Sequence, residues 1–582
     1  MERTYMEWTE LLEVARGELV AEKCFRNAKL VNPLTGQIYE TDFAVHRGVV
    51  IGCGSYDAMV NVDLGGAYVC PGFIEGHIHI ESSMLGPERF AEAVVQWGTT
   101  TVVADPHEIA NVLGHDGIEY FLKCAEAVSI VDLFFMLPSC VPASHLETSG
   151  SVLTATDLHR YLNHERVLGL GEVMNFPGVV SGDRTVWDKI LLFRNTIIDG
   201  HAPLLTGKAL NAYVLSGIRS DHECTTPREA LEKLAKGMTL MIREGSQTRD
   251  LENLISVVND TTWSRCMFVS DDRHPDDLLK LGHLNLQVNK AVECGLDPVR
   301  ALAMVTLVPA QYFGFRDRGA LVPGALADFS VSPTLTPWKV ERVFKKGREV
   351  VKEGQLVERV SVMVQPPESP MALAEISAED LALYARGKGG KPLIRVIALQ
   401  KDSIITDHLV EEASVENGLV VSDPERDVLK VVVWNRYREK EKPAVGFCRG
   451  FGLKKGAIAS TIAHDNHNLI AVGVDDESIA SAAEAVRSCR GGLAVAERAG
   501  KVRVLPLPIA GLMSDEHVER VAEKMQELKE EAARLGALYE NPFMALSFLA
   551  LPVIPRLKIT DKGIVDVEAF KLVSVFVDDN NQ

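Results

Sequence analysis

The stretch Pro71-Gly72-Phe73-Ile74-Glu75-Gly76-His77-Ile78-His79 decides the fold predicted for this chain. Its apolar, partly β-branched residues suit a buried strand. Side chains two positions apart on a strand point to the same face, so His77 and His79 leave the strand together. Because neutral imidazole is the commonest metal ligand in proteins, the pair predicts a metal site at the end of this strand.

The region after this strand alternates apolar segments with amphipathic ones. Strands are predicted at residues 99–105, 131–138, 167–172 and 265–271, and helices at 227–237 and 276–293. Such alternation implies a parallel sheet with right-handed crossovers. Residues 69–314 have the length of one (β/α)8 TIM barrel, typically about 250 residues. The predicted fold is therefore α/β, with a metal-dependent barrel at its centre.

Two further regions surround the predicted barrel. Residues 1–68 and 315–365 contain short strands and turns, and we expect them to close into one small β-sandwich domain, since chain ends often meet around an inserted domain. Residues 375–582 predict a separate C-terminal α/β domain, and the proline-rich segment 365–370 is the predicted linker. The clearest elements of these regions are strands at 28–33, 36–45, 327–331, 340–347, 427–434 and 469–474, and helices at 478–490 and 514–535.

The composition narrows the functional class. The chain has 582 residues, of which 46% are hydrophobic and 24% charged, as in ordinary globular proteins. No apolar run is long enough to cross a bilayer, and the N-terminus lacks the plan of a secretory signal. Ten cysteines without a Cys-x-x-Cys motif suit a reduced cytoplasm. A net charge of −19 disfavours nucleic-acid partners and favours a small, weakly charged substrate.

Four more candidate ligands follow predicted strands farther along the chain: Glu172, His201, His222 and Asp271. Catalytic residues of TIM barrels stand at the C-terminal ends of strands. The spacing of these four approximates one, one short and two β-α-β units of roughly 30 residues. Singly, such a histidine more often makes a structural hydrogen bond, and such a carboxylate more often caps a helix. Together, four histidines and two carboxylates are the inventory for two adjacent divalent ions, whether zinc, iron or manganese.

The chain resembles a known family over nearly its whole length. Residues 71–79 resemble the first metal motif of the amidohydrolase superfamily and, more narrowly, the chain resembles the adenine deaminase family. The other matching stretches are Ile80-Glu81-Ser82-Ser83-Met84, Asp105-Pro106-His107-Glu108, Gly171-Glu172-Val173-Met174-Asn175, Asp199-Gly200-His201-Ala202-Pro203, Ser220-Asp221-His222-Glu223-Cys224, Asp271-Asp272-Arg273-His274 and His464-Asp465-Asn466-His467. Long motifs in this order are far more specific than a His-x-His pair.

The resemblance implies a homodimeric metal hydrolase that converts adenine and water to hypoxanthine and ammonia. It implies two divalent ions, manganese or iron with zinc as an alternative. Its ligand set is His77, His79 and Asp271 for the first ion, His201 and His222 for the second, and Glu172 with a hydroxide as bridges.

Two residues are candidates for moving protons. Paired ions lower the pKa of a shared water, and Asp271 beside it can accept the proton and pass it to the leaving amine. Glu223 is a candidate acid for N1 of the purine. A purely supporting contact with His222 is an equally good interpretation of Glu223.

Three other clusters have a functional and a structural interpretation. Asp105 and Glu108 could hold an accessory metal or support the ligands, although a helix beginning at Pro106 is the simpler interpretation. The stretch Glu81-Ser82-Ser83 could contact substrate or fasten its loop. Residues 464–467 could cap the active site, but a plain turn between strands is the default interpretation.

Other classes of protein share parts of this sequence pattern. Zinc nucleobase deaminases combine His-x-Glu with Pro-Cys-x-x-Cys. His145-Leu146-Glu147 fits the first half of that signature, but the chain has no Cys-x-x-Cys, so the class is rejected. An amidohydrolase acting on another purine, a cyclic amide or an N-acyl compound remains possible, since pocket residues alone discriminate among these substrates. A non-catalytic relative would be indicated by lost ligands, and none of the six is missing.

Overall fold

Residues from both sides of the barrel region form one nine-stranded sheet. The computed structural model describes residues 4–361, 363–385, 391–400 and 403–577, so the outermost parts of the predicted terminal regions, 1–3 and 578–582, lie outside it. The helix Tyr5–Ala15 begins with a capping box between Thr4 and Glu7. The strands of the sheet are Ala21–Asn32, Gln37–His46, Val49–Cys53, Ala58–Asp63, Tyr68–Pro71, Phe329–Ser332, Arg342–Lys345, Arg348–Lys352 and Gln355–Leu356.

The two flanks are held together by pairing and by an aromatic core. The strand Tyr68–Pro71 pairs antiparallel with Phe329–Ser332, so residues on either side of the barrel share one hydrogen-bonded ladder. Phe25 lies 5.0 Å from Phe329 between ring centroids, in an edge-to-face arrangement. The sheet is continuous, and it curves enough for side chains of non-adjacent strands to pack against each other.

The region between these flanks contains eight parallel strands. The first five form one sheet and the last three another, and all are buried or nearly so. In order along the chain they are Phe73–Ile78, Thr99–Ala104, Asp132–Leu137, Val167–Val173, Ile197–Gly200, Ser220–Asp221, Thr239–Arg243 and Cys266–Val269. Apolar, β-branched strands of this kind are typical of parallel sheets covered on both faces by helices.

Helices and helical turns alternate with these strands. They are Ile80–Ser83, Pro87–Val95, His107–Leu113, His115–Ala127, Ala155–Leu158, His159–Tyr161, Phe176–Ser181, Arg184–Leu192, Gly207–Leu215, Pro227–Ala235, Leu251–Leu254, Ile255–Val257, Trp263–Arg265, Pro275–Lys280, Leu284–Glu293, Pro298–Ala303 and Leu307–Tyr312. Among the described residues, no helix is both long and apolar enough to cross a membrane.

The eighth strand lies beside the first. The Asp271 N–H donates to the His77 carbonyl oxygen at 2.9 Å, and the His79 N–H donates to the Asp271 carbonyl oxygen at 3.0 Å. Between the two sheets, the Arg219 N–H donates to the Ile198 carbonyl oxygen at 3.2 Å. These bonds curl the parallel strands and bring their C-terminal ends to one face.

Two predicted elements differ from the structure. The predicted helix at 276–293 is two helices, Pro275–Lys280 and Leu284–Glu293, because Gly282 between them has a φ of +102° that a helix cannot contain. The strand predicted around residue 73 ends at Ile78, and Ile80 instead begins a short 3₁₀ turn.

The C-terminal region contains an eight-stranded, mainly antiparallel sheet with two longer helices. The strands of this region are Leu393–Leu399, Thr406–Glu412, Ser414–Glu416, Leu419–Val421, Val428–Trp434, Ala444–Arg449, Ala457–Ser460, Leu469–Gly473, Gly492–Arg498, Lys501–Pro506, Leu557–Thr560, Gly563–Asp566 and Lys571–Val573. Its helices and helical turns are Ala378–Leu381, Asp476–Ser488, Val518–Leu535, Pro542–Ser547 and Phe548–Ala550. The predicted helix at 514–535 therefore begins four positions late, at Val518.

A buried lysine in this region gives the fold a pH dependence. Lys558 is fully buried, and its Nζ donates hydrogen bonds to the backbone carbonyls of Ile404 and Phe548. Burial lowers the pKa of Lys558 to about 7. Between pH 7 and 10 the side chain is therefore neutral in the folded protein but charged in the unfolded chain.

We expect Lys558 to destabilise the protein less as the pH rises from 7 to 10. The unfolded state binds the extra proton in this window, so the contribution to the free energy of unfolding rises by roughly 4 kcal/mol across it. Lys558→Met should therefore have a higher Tm than wild type at pH 7, with the difference shrinking towards pH 10. Calorimetry of both proteins measures this, and a Tm difference independent of pH would contradict the assignment.

Candidate functional site

The six predicted ligands come together at the C-terminal face of the parallel strands. His79 Nε2 lies 3.2 Å from Glu172 Oε1 and 3.3 Å from Asp271 Oδ1, and His77 Nε2 lies 3.5 Å from the same Asp271 oxygen. On the other side of Glu172, its Oε2 lies 2.5 Å from Nδ1 of His201. His222 Nε2 lies 3.2 Å from Glu172 Oε2.

Glu172 stands between the two pairs of histidines. One of its oxygens faces His79, and the other faces His201 and His222. The backbone behind it is held tightly, because the Glu172 N–H donates to Asp105 Oδ2 at 2.9 Å. A Cβ at the preceding Gly171 would lie 2.0 Å from that same oxygen, so only glycine allows the approach.

Asp271 is held in an unusual backbone conformation. It has a φ of +58°, in the left-handed region that residues other than glycine rarely adopt. Arg243 NH1 donates to Asp271 Oδ2 at 3.0 Å, and the same guanidinium pairs with Glu223 and with Asp250. Asp271 Oδ1 is thereby left to face the two histidines of the first strand.

The pKa shifts within the cluster show that its carboxylates stabilise positive charge on the neighbouring groups. Burial raises the pKa of Asp271, but contacts with His77 and His79 and the charge of Arg243 outweigh burial and hold it well below its usual range. Burial lowers the pKa of His201, yet the carboxylates of Glu223 and Glu172 raise it to about 9. Buried carboxylates that draw protons onto neighbouring imidazoles are equally suited to drawing a cation.

The donor set fits two metal ions. Nitrogen and oxygen atoms of three groups each lie within 4.8 Å of one another: His77, His79 and Glu172; His77, His222 and Asp271; and Glu172, His201 and His222. Nε2 of His77 and Nδ1 of His222 are buried without a hydrogen-bond partner among the described residues. Imidazole and carboxylate are ligands of zinc, iron and manganese.

Glu223 lies at the more open side of the cluster. Its Oε1 lies 3.7 Å from His201 Nδ1 and 3.5 Å from His222 Nε2, and it also pairs with Arg243. The side chains of His201 and Glu223 are 18% and 13% exposed, whereas Glu172 is 4% exposed. Solvent therefore reaches the cluster from the side of His201 and Glu223.

Asp105 and His107 support the cluster from the second strand. Nδ1 of His107 lies 3.5 Å from both Asp105 Oδ1 and Glu172 Oε1. His79 Nδ1 lies 3.0 Å from the Asp105 carbonyl oxygen, a bond that leaves Nε2 of that ring turned towards Glu172. The helix His107–Leu113 does begin next to Pro106, as the simpler interpretation of this stretch predicted. Glu108, in its first turn, lies with its Oε1 3.3 Å from His464 Nδ1 of the C-terminal region.

The stretch Glu81-Ser82-Ser83 is buried and bonded to backbone. Glu81 Oε1 accepts from the Ile109 N–H at 2.9 Å, and Ser82 Oγ donates to the His79 carbonyl oxygen at 2.8 Å. Ser83 Oγ donates to the Ile80 carbonyl oxygen at 2.6 Å. These bonds fasten the loop that follows the strand of His77, which is the structural alternative given for this stretch; a substrate contact stays a prediction.

Residues 464–467 form a connection between two strands and also lie against the region of the parallel strands. Asn466 Nδ2 donates to Glu147 Oε2 at 2.9 Å, and Asn468 Nδ2 donates to the Thr148 carbonyl oxygen at 2.8 Å. Burial raises the pKa of Glu147 to about 8. Glu147, which belongs to the rejected His-x-Glu signature, therefore joins the loop after the third strand to the C-terminal region.

Arg243 is the site residue that the sequence analysis missed. It ends the seventh strand, Thr239–Arg243, which falls between His222 and Asp271 and was not identified as a strand. The two-unit spacing of those ligands required a strand there. A basic residue at the end of that apolar segment was the available signal.

Comparisons with known proteins agree over most of the chain. Residues 68–350 match the family model "Amidohydrolase family", and residues 403–571 match "Adenine deaminase C-terminal domain". Adenine deaminase of Syntrophobacter fumaroxidans is 54% identical over 97% of this chain and 98% of its own length. Those of Desulfatibacillum aliphaticivorans and, named adenine deaminase 2, Carboxydothermus hydrogenoformans are each 46% identical over 97% of this chain and 99% of their own. The chain belongs to the adenine deaminase family.

Proposed function

We propose that this chain is an adenine deaminase, which hydrolyses adenine to hypoxanthine and ammonia. The observation that carries the proposal is the match to curated adenine deaminases over 97% of the chain, which includes the C-terminal domain typical of that family. The cluster of four histidines and two carboxylates supplies the chemistry that such a hydrolysis requires.

The parallel strands support a closed (β/α)8 barrel as the scaffold of this site. The bonds between the first and eighth strands, and those between the two parallel sheets, lie where closure requires them. We infer that the barrel holds two divalent ions, manganese or iron. The ligands would be His77, His79 and Asp271 for one ion, His201 and His222 for the other, and Glu172 for both.

The side chains of this cluster would have different roles in the reaction. Two divalent ions, when bound, lower the pKa of a water molecule enough to supply the nucleophile at neutral pH. Asp271 is a carboxylate at neutral pH, so it can accept a proton from that water and deliver it to the departing amine as ammonia. Glu223, on the side open to solvent, would act as the acid that, when protonated, donates a hydrogen bond to N1 of the purine.

We expect Asp271→Asn to lower kcat for adenine by roughly 1,000-fold or more, because an amide cannot accept the proton. Ammonia release from metal-loaded protein measures the effect. Asp250→Asn is the matched control, since Asp250 pairs with the same Arg243 but does not reach the six ligands. Wild-type rates in Asp271→Asn would refute the role assigned to Asp271, and absence of ammonia from loaded wild type would refute the substrate.

Removal of divalent ions should abolish ammonia release. We expect dialysis against a chelator to eliminate activity, and addition of manganese or ferrous ions to restore it, because the buried imidazoles and carboxylates alone cannot generate hydroxide at neutral pH. Metal content and activity should be followed in the same samples. Full activity in a sample free of metal would show that the cluster acts without ions.

Arg243 should act as a positioning residue for Asp271 and Glu223. Arg243→Lys keeps the charge but loses the planar fork that contacts three carboxylates. Misplacing a catalytic group by about 1 Å costs on the order of 100-fold in rate. We therefore expect kcat to fall by about that factor in Arg243→Lys and further in Arg243→Met, with little change in Asp250→Asn. Unchanged kcat in Arg243→Met would contradict this role.

A further inference from the structure

A second group of metal-ligating side chains lies between the barrel and the C-terminal region. Glu108 comes from the helix His107–Leu113 of the barrel. His464 and His467 come from the connection between the strands Ala457–Ser460 and Leu469–Gly473. None of the three is among the six ligands described above. The group therefore joins two regions that are far apart in sequence.

The separations within this group suit a metal ion. His464 Nδ1 lies 3.3 Å from Glu108 Oε1, and His467 Nε2 lies 4.0 Å from Glu108 Oε2. Asp465 Oδ1 lies 3.7 Å from His464 Nδ1 and offers another oxygen. Ligand atoms about 2.0–2.2 Å from one tetrahedral ion are roughly 3.3–3.6 Å apart. The Glu108 and His464 atoms already have this separation, and His467 needs only a small movement to reach it.

Several buried polar atoms of this group lack hydrogen-bond partners within the part of the chain that the structure describes. Glu108 and His467 are 1% and 0% exposed, and His464 and Asp465 are 6% and 4% exposed. Glu108 Oε1, His467 Nε2 and Asp465 Oδ2 have no hydrogen-bond partner among the described residues. Buried polar atoms left unpaired are costly and are rare in native proteins. A cation between Glu108, His464 and His467 would satisfy the Glu108 and His467 atoms at once.

The group is adjacent to the six-ligand cluster but separate from it. His107 lies between the two, with Nδ1 3.5 Å from Glu172 Oε1 and Nε2 4.0 Å from Asp465 Oδ1. Each group thus has its own glutamate and its own histidines. An ion in the second group would fix residues 464–467 to the barrel.

We propose that Glu108, His464 and His467, with Asp465 as a further oxygen donor, bind an additional divalent cation of the zinc or manganese class. Three protein ligands drawn from both regions make this a structural cross-link of the C-terminal region to the barrel. The site is independent of the two ions proposed for the hydrolysis.

Metal counting and anomalous diffraction test the proposal on the full-length chain without an affinity tag. With zinc or manganese ions as the probe, we expect three equivalents per chain in wild type and two in His467→Asn. Glu108→Gln, as a second variant, should also retain two. Glu172→Gln, which disrupts only the six-ligand cluster, should still bind one ion, so the two sites can fail separately. Crystals of loaded wild type should give an anomalous peak beside Glu108.

Either of two results would overturn the proposal. One is loaded wild type with no anomalous peak at Glu108, whatever the occupancy of the other cluster. The other is an unchanged metal count in both His467→Asn and Glu108→Gln. The three side chains would then be held by hydrogen bonds rather than by a metal ion. In that case the Ala463 N–H donates to His467 Nδ1 at 3.3 Å, and the His467 ring carries its proton on Nε2.

Discussion

The site depends on the pairing of the first and eighth parallel strands. Two backbone hydrogen bonds join residues His77 and His79 to Asp271, which lies almost two hundred positions later. The same bonds hold Asp271 at a positive φ, a conformation that costs on the order of 1–3 kcal/mol and persists only where the surroundings enforce it. Without this pairing, the carboxylate of Asp271 would not face the two imidazoles, and Arg243 would have no reason to be buried beside it.

Burial and charge at the site follow from that constraint. The strand ends converge in a space from which most solvent is excluded, so carboxylates and imidazoles interact strongly. Arg243 neutralises part of the negative charge of Asp271, Glu223 and Asp250. The Glu172 carboxylate instead lies among the imidazoles of four histidines, His79, His107, His201 and His222. The negative charge of Glu172 is what makes the cluster suitable for cations, and the side near His201 and Glu223 is the one that solvent reaches.

Periodicity and local motifs predicted most of the parallel strands, though not Thr239–Arg243, and the six residues that converge at their ends, because both depend on short-range patterns. Each of the six residues lies at or just beyond the end of a parallel strand, and the strand ends of such a sheet share one face. The break at Gly282 was missed because a glycine inside an amphipathic pattern is compatible with a helix until its φ is known. Arg243 and the contact of residues 464–467 with Glu108 and Glu147 were missed because they depend on tertiary packing between distant segments, which periodicity does not encode.

The position of Asn466 against the loop after the third strand has a consequence for the order of assembly. Glu147 and Asn466 are separated by 319 residues, yet they are in direct contact. During synthesis the ribosome completes all six residues long before residues 464–467, which pack beside His107 next to the cluster. The newly made parallel strands therefore pass through a stage in which the ends that bear these residues are more open to solvent than in the finished chain, where solvent reaches the cluster beside His201 and Glu223.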